Sequence, residues 1–111
     1  MVRRTDFELY SETDGASGRL TLTGELDLAT VPRVESAVDA LLAGEVRHLT
    51  IDLAKLSFLD SSGVRLFLQL AHSAEHVGWT LALVNLPERL DGIFRLTGVG
   101  ENLPLVKDDS P

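Results

Sequence analysis

The segment Asp60-Ser61-Ser62-Gly63 places two hydroxyl groups directly after a carboxylate, at the point where an apolar helical pattern begins. Asp and Ser are favoured at helix N-caps because their oxygens accept backbone N–H groups of the first turn. A well-capped helix alone would therefore explain the segment. A second explanation adds a phosphate group, because a helix N-terminus has free N–H donors and a partial positive charge that suit a dianion. Spacing alone leaves both explanations open.

Other patterns in the chain could carry catalysis or bind a metal, but each lacks a necessary part. His72-Ser73-Ala74-Glu75-His76 spells the H-x-x-E-H pattern of some zinc proteases, yet no dedicated third ligand is evident. Ser61 as a nucleophile would need a general base and an oxyanion hole, and the histidines fall near the opposite ends of their elements. No glycine-rich phosphate loop follows a strand. We predict no metal site, no cofactor, no catalytic residue and no enzyme activity.

Composition narrows the class of protein. The chain has 111 residues, of which 44% are hydrophobic and 24% charged, and this is typical of one globular domain. Its net charge of −7 disfavours nucleic acid as a partner and favours a protein with a basic face, although solubility alone could explain the charge. Cysteine is absent, which excludes disulfides and thiol chemistry. No apolar run approaches the roughly 18 residues of a membrane span, and no secretory signal opens the chain, so we expect no membrane partner and a cytoplasmic location.

Hydrophobic periodicity predicts the order β-β-α-β-α-β-α-(β). We expect one domain over residues 7–106, a flexible N-terminus at 1–6 and a flexible tail at 107–111. Alternating strands and helices indicate an α/β fold with a mixed sheet of four to five strands, in which helices follow strands 2, 3 and 4. The predicted elements are strands near 7–12, 20–23, 49–53, 79–84 and 103–106, and a loop over 54–59. Helices are predicted with Thr30 as an N-cap, from about Ser62, and from about 85–87.

Parallel crossovers bring the ends of successive strands and the beginnings of the following helices to one edge of a sheet. Three loops should share this edge, at residues 24–30, 58–62 and 85–87. Asp27 and Ser61 should therefore lie near each other although they are far apart in sequence. Ligands and partners of open α/β sheets tend to bind at this edge, which we call the rim.

Three segments resemble the signatures of one family. Thr23-Gly24-Glu25-Leu26-Asp27 and Asp60-Ser61-Ser62-Gly63 are similar to the two motifs of STAS-domain anti-sigma-factor antagonists, and the segment from Pro87 to Gly98 is similar to their third helix. The likeness covers roughly residues 7 to 106. It implies a STAS-like fold and a protein switch rather than an enzyme.

The resemblance also implies how the switch would work. The unphosphorylated antagonist would bind an anti-sigma factor that is also a serine kinase, and thereby release the sigma factor. Phosphorylation of Ser61, favoured over Ser62 because it directly follows Asp60, would end the binding, and a metal-dependent serine phosphatase would reset it. The residues that the resemblance places at the partner surface are Glu25, Asp27, Thr30, Asp60, Ser61, Ser62, Gly63 and Arg65.

Several alternatives stay open. The domain could be a non-switching STAS scaffold subunit of a stress-signalling or lipid-transport complex, or it could bind a nucleotide. Arg65, where many family members have a small residue, could contact a phosphate or partner, or could simply be solvated. Leu66 and Leu70 form a second apolar stripe on the same helix, which could be core packing or a partner patch.

Overall fold

The computed structural model describes residues 7–97 and 103–106. The flexible ends predicted at 1–6 and 107–111 lie outside the described residues. So do Gly98 and Gly100, the glycines at which the sequence pattern predicts that the third helix ends. The strands are β1 (Glu8–Asp14), β2 (Ser17–Leu26), β3 (His48–Leu59), β4 (Thr80–Val84) and β5 (Leu105–Val106). The helices are α1 (Val31–Ala43), α2 (Ser61–Val77) and α3 (Asp91–Thr97), the last preceded by a 3-10 turn at Glu88–Leu90.

The five strands form one mixed sheet in the order β1-β2-β3-β4-β5. β1 is antiparallel to β2, and the remaining neighbours are parallel. α1, α2 and α3 follow β2, β3 and β4, so the predicted α/β architecture, with a mixed sheet and a helix after each of strands 2, 3 and 4, is confirmed. The C-terminal ends of β2 and β3 lie at one edge of the sheet, together with the beginning of α2. β4 ends opposite Asp52, seven residues before the end of β3, so the predicted third loop at 85–87 begins below this edge.

Alternating side chains divide the sheet into an apolar and a polar face. In β2, Leu20 and Leu22 are fully buried, while the intervening Thr21 is only half-buried. In β3, Leu49 and Ile51 repeat this pattern. The apolar faces of α1 and α2 supply the opposite side of the core, where Val34, Val38, Val64 and Phe67 are buried. The core therefore fixes how α2 lies on the sheet.

The prediction of a loop over residues 54–59 was wrong. β3 continues to Leu59 and stays paired with β2, through Leu56 with Gly24 and Leu59 with Leu26. The register shifts twice on the way, and the buried leucines Leu53, Leu56 and Leu59 recur at every third residue. Because a regular strand repeats every two residues, such bulges hide the strand from a periodicity argument.

Candidate functional site

The rim is built on the last paired residues of β2 and β3. Leu26 lies opposite Leu59, and the Asp60 N–H donates to the Leu26 carbonyl at 3.4 Å. Asp27 and Asp60 each follow one of these two leucines, so the two acidic loops leave the sheet side by side. The sequence-based expectation that the 24–30 and 58–62 loops meet is thus supported by the strand register.

Asp60 is the N-cap of α2. Its Oδ1 accepts the backbone N–H groups of Ser62 at 2.9 Å and Gly63 at 3.4 Å. The helix therefore begins at Ser61, one residue earlier than predicted. The Asp60 carboxylate already occupies two donors of the first turn, so a phosphate on Ser61 would compete with it or extend outward rather than find both donors free.

Ser61 and Ser62 differ in accessibility. Ser61 is the first residue of α2 and is exposed, whereas Ser62 is half-buried. An enzyme that modifies a hydroxyl must reach it, so the geometry favours Ser61 over Ser62 as a modifiable group.

Gly63 lets the first turn of α2 lie directly on the strand ends. Gly63 is buried, and a Cβ atom at this position would overlap the Leu59 side chain and lie 3.0 Å from Leu26 Cδ2. Gly63 therefore contributes through packing. Because it has no side chain, the first turn of α2, which begins with Ser61, can lie close to the sheet.

Thr30 holds the acidic loop after β2 together. Its Oγ1 accepts the Asp27 N–H and donates to the Glu25 carbonyl, both at 2.9 Å. In return, Asp27 Oδ1 accepts the N–H groups of Ala29 at 3.0 Å and Thr30 at 3.1 Å. Thr30 stands at the N-cap position of α1 as predicted, but its side chain makes no cap hydrogen bond. It is only 6% exposed, so most of its contribution is to the shape of the loop.

Two large apolar side chains on this rim were not singled out from the sequence. Leu28, within the loop that Thr30 closes, is 76% exposed, and Phe58, at the end of β3, is 44% exposed. Phe58 is paired with the exposed Glu25 of β2. Exposed apolar residues bordered by polar groups are typical of protein-binding surfaces. Hydrophobic patterns predict burial, so no signal in the sequence distinguished these two side chains.

Asp52 of β3 binds side chains from β2 and from the segment after β4 on the polar face of the sheet. Its Oδ2 accepts from Arg19 Nη2 of β2 at 2.8 Å, while its Oδ1 accepts from the Ala54 N–H at 3.0 Å and from Asn85 Nδ2 at 3.2 Å. Burial alone would raise the pKa of Asp52, but these hydrogen bonds and the charge of Arg19 outweigh it and lower the pKa. Asn85, which adopts a φ of 62°, thus ties the segment after β4 to β3 at Asp52, seven residues before β3 ends.

Burial decides one of the two questions that the sequence left open on α2. Leu66 is 1% exposed and Leu70 is half-buried against the core, so packing explains this stripe and Leu66 is not a surface patch. Arg65 is exposed. Its position one turn after Ser61 leaves the guanidinium available to solvent or to a partner.

The histidines lie away from the rim or lack further ligands. The rings of His72 and His76 stand 4.1 Å apart near the C-terminal end of α2, and His48 begins β3 at the opposite end of the sheet. Within residues 7–97 and 103–106, no group of three or more His, Cys, Asp or Glu side chains is arranged to hold a metal ion. None of the helices in these residues has the length and hydropathy needed to span a membrane.

Comparison with known proteins identifies the family. A family model described as "Mlab, STAS domain" matches residues 10–107, nearly the whole chain. The chain belongs to the STAS-domain family. Among curated relatives, the anti-sigma-B factor antagonist of Listeria monocytogenes is 32% identical over 80 residues, which cover 72% of this chain and 70% of the relative. These relatives are named as regulators of other proteins, and the chain is accordingly a STAS domain of the anti-sigma-factor-antagonist type.

Solved structures agree with this assignment. The unphosphorylated anti-sigma factor antagonist SpoIIAA is 26% identical, with a TM-score of 0.74 over 94% of this chain and 89% of the other. The phosphorylated form of SpoIIAA, described as a Bacillus cell fate determinant, is also 26% identical, with a TM-score of 0.69 over 94% of this chain and 92% of the other. The five-stranded sheet with its three helices is therefore the STAS fold of these antagonists.

Proposed function

We propose that this protein is a phosphorylation-controlled antagonist of an anti-sigma factor that is also a serine kinase. In its unphosphorylated form it binds the anti-sigma factor and frees the sigma factor, and phosphorylation of Ser61 ends the binding. A serine phosphatase restores the active form, and the exchange takes place in the cytoplasm. The observation that carries this proposal is the exposed Ser61 at the first position of a helix that Asp60 caps, on a rim shared with the Asp27 loop.

The geometry supports a switch that acts on the complex more than on the domain. Ser61 points to solvent, so a phosphate there displaces no core side chain. The phosphate adds about −1.5 to −2 charges beside the Asp60 carboxylate. In a docked complex the dianion would have to lose its hydration within the contact surface, which opposes binding. The fold match with phosphorylated SpoIIAA supports an unchanged domain.

The same rim offers a contact surface that combines apolar and acidic groups. Leu28 and Phe58 supply exposed apolar area, and Glu25 and Asp27 supply carboxylates. Ser61 begins the first turn of α2, which packs on the strand-end residues Leu59 and Leu26 through Gly63. Protein interfaces of ordinary size bury about 800 Å² on each partner, so a kinase that reaches Ser61 would cover these neighbours. In this surface Thr30 and Gly63 shape the loops from below, while Arg65 faces outward.

Labelling with ATP and the candidate kinase tests the proposal. A kinase encoded beside this gene should transfer phosphate to the protein, and mass spectrometry should locate it on Ser61. Ser61→Ala should abolish labelling, while the matched variant Ser62→Ala should retain it. Labelling that survives Ser61→Ala, or labelling of the wild-type protein by none of the neighbouring kinases, contradicts the proposal.

A second candidate is a STAS scaffold subunit that no kinase controls, within a stress-signalling or lipid-transport complex. The description of the matching family model names Mlab and not an antagonist, so membership of this family does not by itself select the antagonist function. This candidate function predicts a stable assembly in which other subunits co-purify with the protein. These subunits should bind wild type and Ser61→Asp with the same affinity. Size-exclusion chromatography with mass determination distinguishes the two functions.

A further inference from the structure

β3 extends well beyond its neighbour β4. The last pair between them joins Asp52 to Val84, yet β3 continues to Leu59. On its β2 side this extension remains paired up to Leu26. On the β4 side the ladder has ended, so backbone groups that a neighbouring strand would bind need other partners.

Arg89 supplies hydrogen-bond donors to two backbone carbonyl groups of this extension. This residue belongs to the 3-10 turn that follows β4, and its guanidinium donates to the Leu56 carbonyl at 2.9 Å and to the Ser57 carbonyl at 3.1 Å. In a regular strand, successive carbonyls point to opposite edges. Here both are bound by one group, because the register shifts at this point and leaves Ser57 as the extra residue between Leu56 and Phe58.

The bulge lies immediately before the functional loop. Only Phe58 and Leu59 separate Ser57 from Asp60, and Ser61 follows directly. The direction in which β3 leaves the bulge therefore decides where Asp60 begins α2. The planar guanidinium can hold two acceptors at once in a fixed geometry, whereas a lysine ammonium is a flexible point charge.

We propose that Arg89 is a positioning residue, which fixes the β3 bulge and thereby the orientation of Ser61. The positioning itself follows from the two hydrogen bonds; its effect on phosphoryl transfer rests on the function proposed above. Arg89 touches neither Ser61 nor a partner in this role. It couples the segment after β4 to the bulge that precedes Ser61, through a bond between Arg89 and Ser57, which are 32 positions apart in sequence.

Amide hydrogen exchange followed by NMR tests the positioning directly. In Arg89→Ala, exchange at residues 58–63 should become about tenfold faster, the effect expected from losing a hydrogen bond to a charged donor. Ile51 and Leu20, in the middle of the sheet, should keep their rates. Arg89→Lys should give an intermediate change. Arg95→Ala is the matched control, because Arg95 lies on the adjoining helix and pairs with Asp91 at 2.8 Å; it should leave residues 58–63 unchanged.

Kinase assays on the same variants add a functional readout. If the kinase phosphorylates Ser61, Arg89→Ala should lower kcat about tenfold or more while KM stays within about twofold, because the hydroxyl is misplaced and the contact surface is retained. Wild-type rates at residues 58–63 in Arg89→Ala, or an equal acceleration over the whole sheet, would overturn the role of Arg89. If no kinase labels the wild-type protein, the proposed function is refuted instead. The exchange rates would still show whether Arg89 positions residues 58–63.

Discussion

Leu26 and Leu59 are the last paired residues of β2 and β3, and each is followed directly by an aspartate. Asp27 then closes its loop through Thr30, while Asp60 caps α2. Two loops from distant parts of the chain thus begin next to each other, directly after the paired and buried Leu26 and Leu59. The Asp27 carboxylate holds the first loop, and the Asp60 carboxylate holds the second. These hydrogen bonds therefore fix the backbone of the two loops that carry the exposed Leu28 and Ser61.

Ser61→Asp should leave the fold intact and weaken the complex with the anti-sigma factor. The side chain is exposed at the first helical position, where an acidic residue is favourable to the helix, so the melting temperature should not fall. In the contact surface the added charge must be desolvated, and we expect the Kd to rise about tenfold or more. Isothermal titration calorimetry measures the effect.

The matched control for this substitution is Gln69→Glu. It adds the same single charge to an exposed position of the same helix, about two turns further from the rim. It should leave the Kd within about twofold of the wild-type value, since a distant exposed charge is largely screened. Equal weakening by both variants would indicate a general charge effect rather than a switch at Ser61.

Leu28→Ala should weaken partner binding without destabilising the protein. Leu28 is 76% exposed, so its truncation removes little packing in the free domain. If the rim docks on a partner, its loss should raise the Kd about tenfold, the scale of a central apolar contact. Val77→Ala is a close control, because Val77 is 75% exposed at the other end of α2. Equal affinities of wild type and Leu28→Ala for the partner would show that Leu28 is not part of the contact surface.

Much of this site can be predicted from the sequence, and the features that could not be predicted have identifiable physical causes. Strand-helix alternation predicts the shared rim, and the residue order Asp60-Ser61 predicts the capped helix. The end of β3 escapes prediction because bulges place Leu53, Leu56 and Leu59 at every third residue. The bond from Arg89 to Ser57 joins residues 32 positions apart, and no local pattern encodes it.

The exposure of Leu28 and Phe58 could not be predicted for a different reason. Hydrophobicity alone indicates burial, and only the closed loop around Thr30 and the pairing of Phe58 with Glu25 reveal that these side chains face outward. Thr30 illustrates the reverse case. Its residue type and position predict a helix cap, yet its hydroxyl binds the preceding loop.

Gly63→Ala should destabilise the domain. The added methyl group would overlap Leu59 and press on Leu26, which anchor the start of α2. Overpacking of this kind costs about 1–3 kcal/mol in the free energy of unfolding, which urea denaturation measures. Gly92→Ala is the matched helical control, because a methyl group there meets nothing within 4 Å. It should be neutral or stabilising by about 0.5–1 kcal/mol. Equal stability of the two variants would contradict the close packing of α2 on the strand ends.

The contribution of Asp52 to stability should depend on pH. Hydrogen bonds from the Ala54 N–H, Arg19 and Asn85 hold its pKa below the ordinary value of 3.8 despite its burial. Between the folded and the ordinary pKa, the unfolded chain binds more protons than the folded one. The stabilisation is therefore fully present above the ordinary pKa and is lost as the pH falls through it toward the lower folded value. Asp52→Asn should cost about 1 kcal/mol near neutral pH, a modest value because Arg19 is partly exposed.

Urea denaturation of wild type and Asp52→Asn, repeated from about pH 7 down to about pH 3, tests this dependence. The difference in unfolding free energy between the two proteins should stay constant above the ordinary pKa and shrink below it. Asp39→Asn removes an exposed carboxylate from α1 and corrects for the change in net charge. A difference that is the same throughout this range would mean that the Asp52 carboxylate does not stabilise the sheet through its charge, and that its hydrogen bonds act as neutral ones.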